Sequence, residues 1–158
     1  MERKPWKVYV FWIVVCEAVG VLAGILTRAG SEIYNMTAVK PPLAPPGWVF
    51  PVVWMVLYAL MGISAARVTL SPESASSSRG LNLMVTQLIV NFFWPLLFFK
   101  LQAFLFAFVW LLLLLFLVIA MILAFMKVSK TAAWLQLPYA LWVAFAGYLN
   151  FGIWFLNR

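Results

Sequence analysis

Residues 103–126 read AFLFAFVWLLLLLFLVIAMILAFM, and none of these side chains carries a charge. A bilayer core about 30 Å thick requires about 20 apolar residues in an α-helix that crosses it. Backbone polar groups in hydrocarbon must be satisfied within the segment, so this run predicts a transmembrane helix. The chain is therefore expected to be an integral membrane protein.

Similar apolar runs lie on both sides of this stretch. With it, they predict transmembrane helices at 8–26, 48–68, 81–99, 103–126 and 134–156. The expected fold class is all-α, a membrane bundle of five helices that forms a single domain over residues 1–158. Only Lys100, Leu101 and Gln102 separate the third and fourth runs, which predicts a tight antiparallel hairpin.

The composition also indicates that lipid is the solvent for most of the surface. Of 158 residues, 66% are hydrophobic and 9% are charged, and the mean hydropathy is +1.04. A soluble domain is usually about 45–50% apolar and about 25% charged. The net charge of +7 comes from basic residues that lie mostly beside the apolar runs. Membrane lipid is thus the expected partner of these residues, and nucleic acid is not.

The basic residues further predict the orientation of the bundle, because cytoplasmic loops are enriched in Lys and Arg. Seven of them share the side of the N-terminus and four lie on the opposite side. The bias predicts a cytoplasmic N-terminus and an exported C-terminus. The two sets are Arg3, Lys4, Lys7, Arg67, Arg79, Lys127 and Lys130, against Arg28, Lys40, Lys100 and Arg158.

Two scarce residue types narrow the possible chemistry. Cys16 is the single cysteine, which excludes an intrachain disulfide and a thiolate metal site. Histidine is absent, which removes the commonest metal ligand and the commonest general base. We predict no metal site in the protein, and any bound haem must lack an axial imidazole from this chain.

The predicted loop at 28–47 is rich in proline. It contains the segment KPPLAPPG at 40–47, which cannot be helical because each proline lacks an N–H and restricts the residue before it. An extended, stiff segment of this kind suits either a rigid spacer or a lid over the mouth of the bundle, and the composition favours neither.

Three predicted helices carry polar and aromatic residues at helical spacing. Such stripes serve helix packing or line a cavity, and their occurrence on three helices favours a shared aromatic cavity for a flat, largely apolar molecule. Pro95 is expected to kink the third helix. The stripes are Phe50, Trp54, Leu57 and Met61; Gln87, Asn91, Trp94 and Phe98; and Tyr139, Trp142, Ala146 and Asn150.

The first run has features of its own. A basic start before an apolar stretch also fits a cleaved signal peptide, but Glu17 interrupts the stretch and no small-x-small cleavage site follows, so a span is favoured. An intramembrane carboxylate is a functional candidate, although it could simply pair with a polar neighbour. Gly20 and Gly24 permit close packing, either within the chain or at a dimer interface.

The motifs resemble those of the translocator protein family, which is also known as TspO, the tryptophan-rich sensory protein or the peripheral benzodiazepine receptor. The order and spacing agree, and the family's five-helix length covers the whole chain. The three segments that carry the resemblance are Lys40-Pro41 with Pro45 to Val49, Trp54 and Leu57-Tyr58; Gln87-Leu88, Asn91, Trp94-Pro95 and Phe98-Phe99; and Pro138-Tyr139, Trp142, Phe145 and Leu149-Asn150.

The resemblance implies a five-helix bundle that often dimerises and that holds protoporphyrin IX or haem in its cavity as a ligand, with no obligatory cofactor. Animal members also bind cholesterol and benzodiazepine-site ligands. The proline-rich loop then becomes the lid. The residues that the resemblance places in the cavity lining are Trp54, Asn91, Trp94, Trp142 and Ala146. Together with Trp48, Phe50, Phe106, Tyr139 and Asn150 they make ten predicted ligand residues.

Several positions depart from the family pattern. Ile33, Leu43 and Phe106 stand where family members usually have tryptophan, which predicts a looser lid or a different ligand. The animal cholesterol motif needs a tyrosine followed closely by Arg or Lys, but here Phe151 occupies that region and Arg158 lies far from Tyr148. The sequence thus argues against specific cholesterol binding.

Three functions follow from the resemblance. A tetrapyrrole-binding sensor or carrier is favoured over an enzyme. The alternatives are an enzyme that degrades porphyrin by photo-oxidation, with Trp54 and Trp142 as catalytic candidates, and a small-molecule transporter. The sequence leaves the choice between binding, degradation and transport open.

Overall fold

The computed structural model describes residues 5–158, and every regular element in that range is a helix. Five helical stretches are long and apolar enough to cross a membrane, which confirms the predicted five-helix architecture. The chain is an integral, multi-pass membrane protein. Its elements are α1 (Pro5–Thr37), α2 (Val49–Thr69), α3 (Ala75–Pro95) with a π-helical extension (Leu96–Lys100), α4 (Phe104–Met126), α5 (Lys130–Trp134) and α6 (Leu137–Leu156).

Helix α1 is longer than the sequence predicts. The apolar run at 8–26 was expected to end the helix and a loop was expected at 28–47, but the helix continues to Thr37. Residues 28–37 contain no proline, and Arg28 and Glu32 form an i,i+4 ion pair at 3.3 Å on this extension. The irregular lid therefore covers only residues 38–48, where the prolines begin.

Two other boundaries differ from the predictions for similar local reasons. Helix α3 begins at Ala75, before the predicted start at 81, because Ser74 and Ser77 form a reciprocal capping box. The fifth span starts at Lys130 rather than 134 and is interrupted at 135–136. Ser129 caps α5, and Pro138 in the first turn of α6 favours a fresh helix start there.

The predicted irregularity at Pro95 takes the form of the π-helical extension that follows it. Its backbone packs closely against α1. A Cβ atom added to Gly30 would overlap the carbonyl of Phe99, so only glycine fits at this crossing. Gly62 of α2 lies as close to the backbone of Ile13. The glycines thus allow α1 to approach both neighbours.

Of the two glycines Gly20 and Gly24, only Gly20 packs against another part of the chain. The ring of Tyr58 occupies the place that a side chain at Gly20 would need. Gly24 faces open space, with no atom within 4 Å of an added Cβ. The structure therefore uses Gly20 for packing within the chain, one of the two alternatives that the sequence allowed.

Candidate functional site

A cavity of about 590 Å³ lies between α1, α2, α3 and α6, beneath the lid at 38–48. One face of α1 forms its longest wall, because residues spaced three or four apart stack along a helix. This face is Glu17, Gly20, Gly24, Thr27, Arg28 and Ser31. The other walls include Phe50, Trp54, Met55, Tyr58, Asn91, Trp94, Phe98, Ala146 and Asn150.

Aromatic rings build the side of the cavity that α2 and α3 supply. The centroid of the Trp54 ring lies 5.6 Å from that of Tyr58 and 6.4 Å from that of Trp94. Trp94 packs in turn against Phe98 at 5.4 Å, and its indole N–H donates to the side-chain oxygen of Asn150 at 3.1 Å. Each ring packs against a neighbour, so the rings form one continuous aromatic wall.

Buried polar side chains form the floor. The hydroxyl of Tyr58 donates to Oδ1 of Asn91 at 2.9 Å, and Nδ2 of Asn91 donates to the hydroxyl of Tyr139 at 2.7 Å. Tyr139 donates to Oε1 of Gln87 at 2.6 Å, and Nε2 of Gln87 approaches the sulfur of Met84 at 3.3 Å. This chain of donors joins α2, α3 and α6. The predicted stripe on α3 does face the bundle interior.

The mouth of the cavity carries charge. Arg28 and Lys40 both belong to the wall, Arg28 on α1 and Lys40 on the lid. The ammonium of Lys40 donates to Oδ1 of Asn35 at 3.1 Å and lies 5.4 Å from the centre of the Tyr34 ring. Arg28 is paired with Glu32, but both side chains are largely exposed, so the pair is weak and exchangeable. An anionic group at the mouth would meet two basic residues.

The lid is fastened to α6 by hydrogen bonds and packing. The side chain of Asn157 accepts from the backbone N–H of Val39 and donates to its carbonyl, both at 2.9 Å. The hydroxyl of Tyr148 donates to the carbonyl of Pro42 at 2.9 Å. Pro41 is buried against Gly152, where an added Cβ would lie 2.7 Å from the proline ring. We call this set of contacts the lid latch.

Six of the ten predicted ligand residues line the cavity. The structure brings together Phe50, Trp54, Asn91, Trp94, Ala146 and Asn150. They come from the three predicted stripes, and they meet because each stripe is the inward face of its helix.

The other four lie outside the cavity wall. Trp48 is 69% exposed and Phe106 is 53% exposed, since each lies on an outward face near a helix start. Tyr139 is fully buried beneath the floor, where its hydroxyl belongs to the polar chain. Trp142 lies behind Phe50, with the two ring centroids 5.8 Å apart, so Phe50 separates it from the cavity.

Some lining residues were not predicted. Tyr58 follows Trp54 by four residues, so the helical spacing of α2 already places it on the same face. Arg28 was predicted only as a marker of orientation, and Lys40 was predicted as such a marker and as part of the lid segment. Of the positions that depart from the family pattern, Ile33 and Leu43 are 48% and 80% exposed and do not contribute to the wall.

Comparison with known proteins agrees with the fold and with the motifs. The model of the TspO/MBR family matches residues 12–155. The chain is 39% identical to the tryptophan-rich protein TspO of Chlorobaculum tepidum over 144 residues, which cover 90% of this chain and 91% of that protein. It is 34% identical to the translocator protein of Bos taurus over 156 residues, or 98% and 92% of the two chains.

A third relative is the tryptophan-rich sensory protein of Cereibacter sphaeroides, with 30% identity over 155 residues that cover 98% of this chain and 94% of that protein. The matches extend from the first helix to the last and include every element that contributes to the cavity. The chain therefore belongs to the TspO/MBR family.

Proposed function

We propose that the chain binds a tetrapyrrole, protoporphyrin or haem, in the cavity and acts as a membrane sensor or carrier for it. The observation that carries the proposal is the pairing of a continuous aromatic wall at Trp54 and Trp94 with basic residues at the mouth. A flat apolar macrocycle can stack on the wall, and its propionates can reach Arg28 and Lys40.

The size of the cavity supports this proposal. A volume of about 590 Å³ falls within the range of about 300–1,000 Å³ that is usual for small-molecule sites. The lining is mostly apolar, with a few polar groups at the floor and the mouth, which suits an amphipathic ring. Benzodiazepine-site ligands, which are also flat and apolar, would occupy the same space.

Titration of the purified protein with protoporphyrin tests the proposal. We expect saturable quenching of tryptophan fluorescence and a shift of the porphyrin Soret band. Trp54→Ala should weaken binding, whereas Trp134→Ala should not, because Trp134 is 62% exposed and lies on α5, outside the cavity wall. Equal affinity in the parent protein and both variants would refute binding in this cavity.

A second candidate function is light-driven oxidation of bound porphyrin. It is favoured by the cluster of oxidisable rings at Trp54, Tyr58 and Trp94. Of the two catalytic candidates from the sequence, Trp54 reaches the cavity and Trp142 does not. Loss of the Soret band under illumination in the presence of oxygen, abolished in Trp54→Phe, would support this function; stable porphyrin would contradict it.

We also propose that the N-terminus lies in the cytoplasm, which places the lid and the mouth of the cavity on the exported side. Seven basic residues against four support this orientation. Reporters fused to the two termini should report opposite sides of the membrane, with the N-terminal reporter inside.

A further inference from the structure

Glu17 is the acidic residue at the deep end of the cavity. It lies on α1, half-buried, and its side chain belongs to the wall. Arg28, at the mouth, follows eleven residues later on the same helix face, which is about 16 Å along the axis at 1.5 Å per residue. The cavity therefore has a lone carboxyl group at its deep end, and two basic residues together with Glu32 at its mouth.

The cavity wall contains two carboxyl groups. Glu32 pairs with Arg28, whereas Glu17 has no partner within residues 5–158. Tyr58 and Asn91 are bonded to each other, Thr27 donates to the carbonyl of Ala23, and Lys40 donates to Asn35. Neither a hydrogen bond nor an ion pair joins Glu17 to the described residues. A carboxylate in a membrane helix is costly unless a partner compensates it.

The surroundings of Glu17 leave room for a ligand to be that partner. Gly24 lies on the same helix face as Glu17 and presents no side chain, whereas the ring of Tyr58 covers Gly20. Gly24 borders open space, so the cavity continues from the mouth toward the carboxyl group. Trp54 and Tyr58 provide the aromatic surface beside this passage.

We propose that Glu17 recognises a positively charged or N–H-bearing nitrogen at the buried end of the ligand. The ligand class is then a flat ring system with a basic nitrogen, and an anionic group at its other end would add contacts with Arg28 and Lys40. The assignment goes beyond the proposed function, because it applies to any flat ligand of this cavity and not to tetrapyrroles alone.

A matched pair of tricyclic probes tests the proposal in the purified full-length protein. 9-Aminoacridine is cationic at neutral pH, and anthracene has the same three fused rings without charge or N–H. Glu17→Gln should weaken binding of 9-aminoacridine by about 10- to 100-fold, the value of a charge-assisted hydrogen bond, and leave the affinity for anthracene unchanged. Glu17→Asp keeps the charge and should retain most of the preference.

Glu73→Gln is the matched control, because Glu73 is exposed in the loop before α3 and lies outside the cavity wall. It should leave the affinity for 9-aminoacridine unchanged. Equal loss of both probes in Glu17→Gln, or no loss of either, would overturn the assignment.

A second measurement needs no variant. N,N′-dicyclohexylcarbodiimide labels carboxyl groups in apolar surroundings, and mass spectrometry locates the adduct. 9-Aminoacridine should protect Glu17 from labelling and anthracene should not; equal protection, or none from either probe, would contradict the proposal.

Parallel titration with protoporphyrin distinguishes the role of Glu17 from the tetrapyrrole function. Absence of porphyrin binding refutes only the tetrapyrrole function, and absence of the charge preference refutes only the role of Glu17.

Discussion

Tyr58 donates its hydroxyl proton to the side-chain oxygen of Asn91 at 2.9 Å, and this bond joins α2 to α3 at the floor of the cavity. Asn91 extends the connection to α6 through its 2.7 Å bond to Tyr139. Three helices from distant parts of the chain thus meet at one amide. The three side chains are buried, so the loss of one partner leaves a polar group with little access to solvent.

Asn91→Ala should therefore destabilise the bundle more than Tyr58→Phe does. The first change removes two hydrogen bonds and leaves the hydroxyl of Tyr58 without an acceptor, whereas Tyr139 keeps its bond to Gln87. The second removes one hydrogen bond and leaves Oδ1 of Asn91 without a donor. An unsatisfied buried group of either kind costs about 1–3 kcal/mol, so the first change costs more because it also loses the bond to Tyr139 and leaves a cavity. Unfolding of both variants in detergent measures the difference. A Tyr58→Phe variant that is the less stable of the two would contradict the central role of Asn91.

Trp54→Ala should weaken porphyrin binding by roughly five- to a hundredfold, because aromatic stacking is worth about 1–3 kcal/mol on the scale known for nucleobases. Trp142→Ala should have a smaller effect, since Phe50 lies between Trp142 and the cavity. Trp54→Phe should cost less than Trp54→Ala, because a ring remains. Fluorescence titration of the three variants gives the order, and a larger effect at Trp142 would place the ligand on the other side of Phe50.

Ala146→Phe should fill part of the cavity and weaken binding of both porphyrin and benzodiazepine-site ligands. Ala146 is buried in the cavity wall, on the inward face of α6. Ala144→Phe is the matched control, because Ala144 is exposed on the same helix and outside the wall. Helix content should be unchanged in both variants. Equal ligand affinities in the Ala146→Phe and Ala144→Phe variants would show that the ligand does not contact this face of α6.

Asn157→Ala should open the lid latch and speed ligand release. The change removes both hydrogen bonds to Val39, and at about 0.5–1.5 kcal/mol each their loss corresponds to roughly a tenfold faster dissociation. Stopped-flow displacement of bound porphyrin measures the rate. Asn82→Ala, at an exposed position on α3, serves as the control. Dissociation as slow as in the parent protein would show that the latch does not limit release.

The fold was predictable because an apolar run long enough to cross the bilayer must satisfy its backbone hydrogen bonds internally and therefore forms a helix, as residues 103–126 show. Helix ends were less predictable, since they depend on local details such as the Ser74 cap and the absence of proline after Arg28. Three stripes identified the inward faces of α2, α3 and α6. Spacing alone could not distinguish Trp54, in the wall, from Trp142, because one intervening ring decides which of them reaches the cavity.

The length of α1 has a consequence for the direction from which a ligand arrives. The helix continues for eleven residues, about 16 Å, beyond the apolar run that ends at Leu26. Glu17 lies nine residues, about 14 Å, before that end, which is close to half of a hydrocarbon core about 30 Å thick. The cavity therefore begins in the headgroup layer and stops near the bilayer midplane. The cavity thus lies within one leaflet and is closed toward the other. A ligand dissolved in the opposite leaflet must first cross the bilayer midplane to reach the mouth of the cavity.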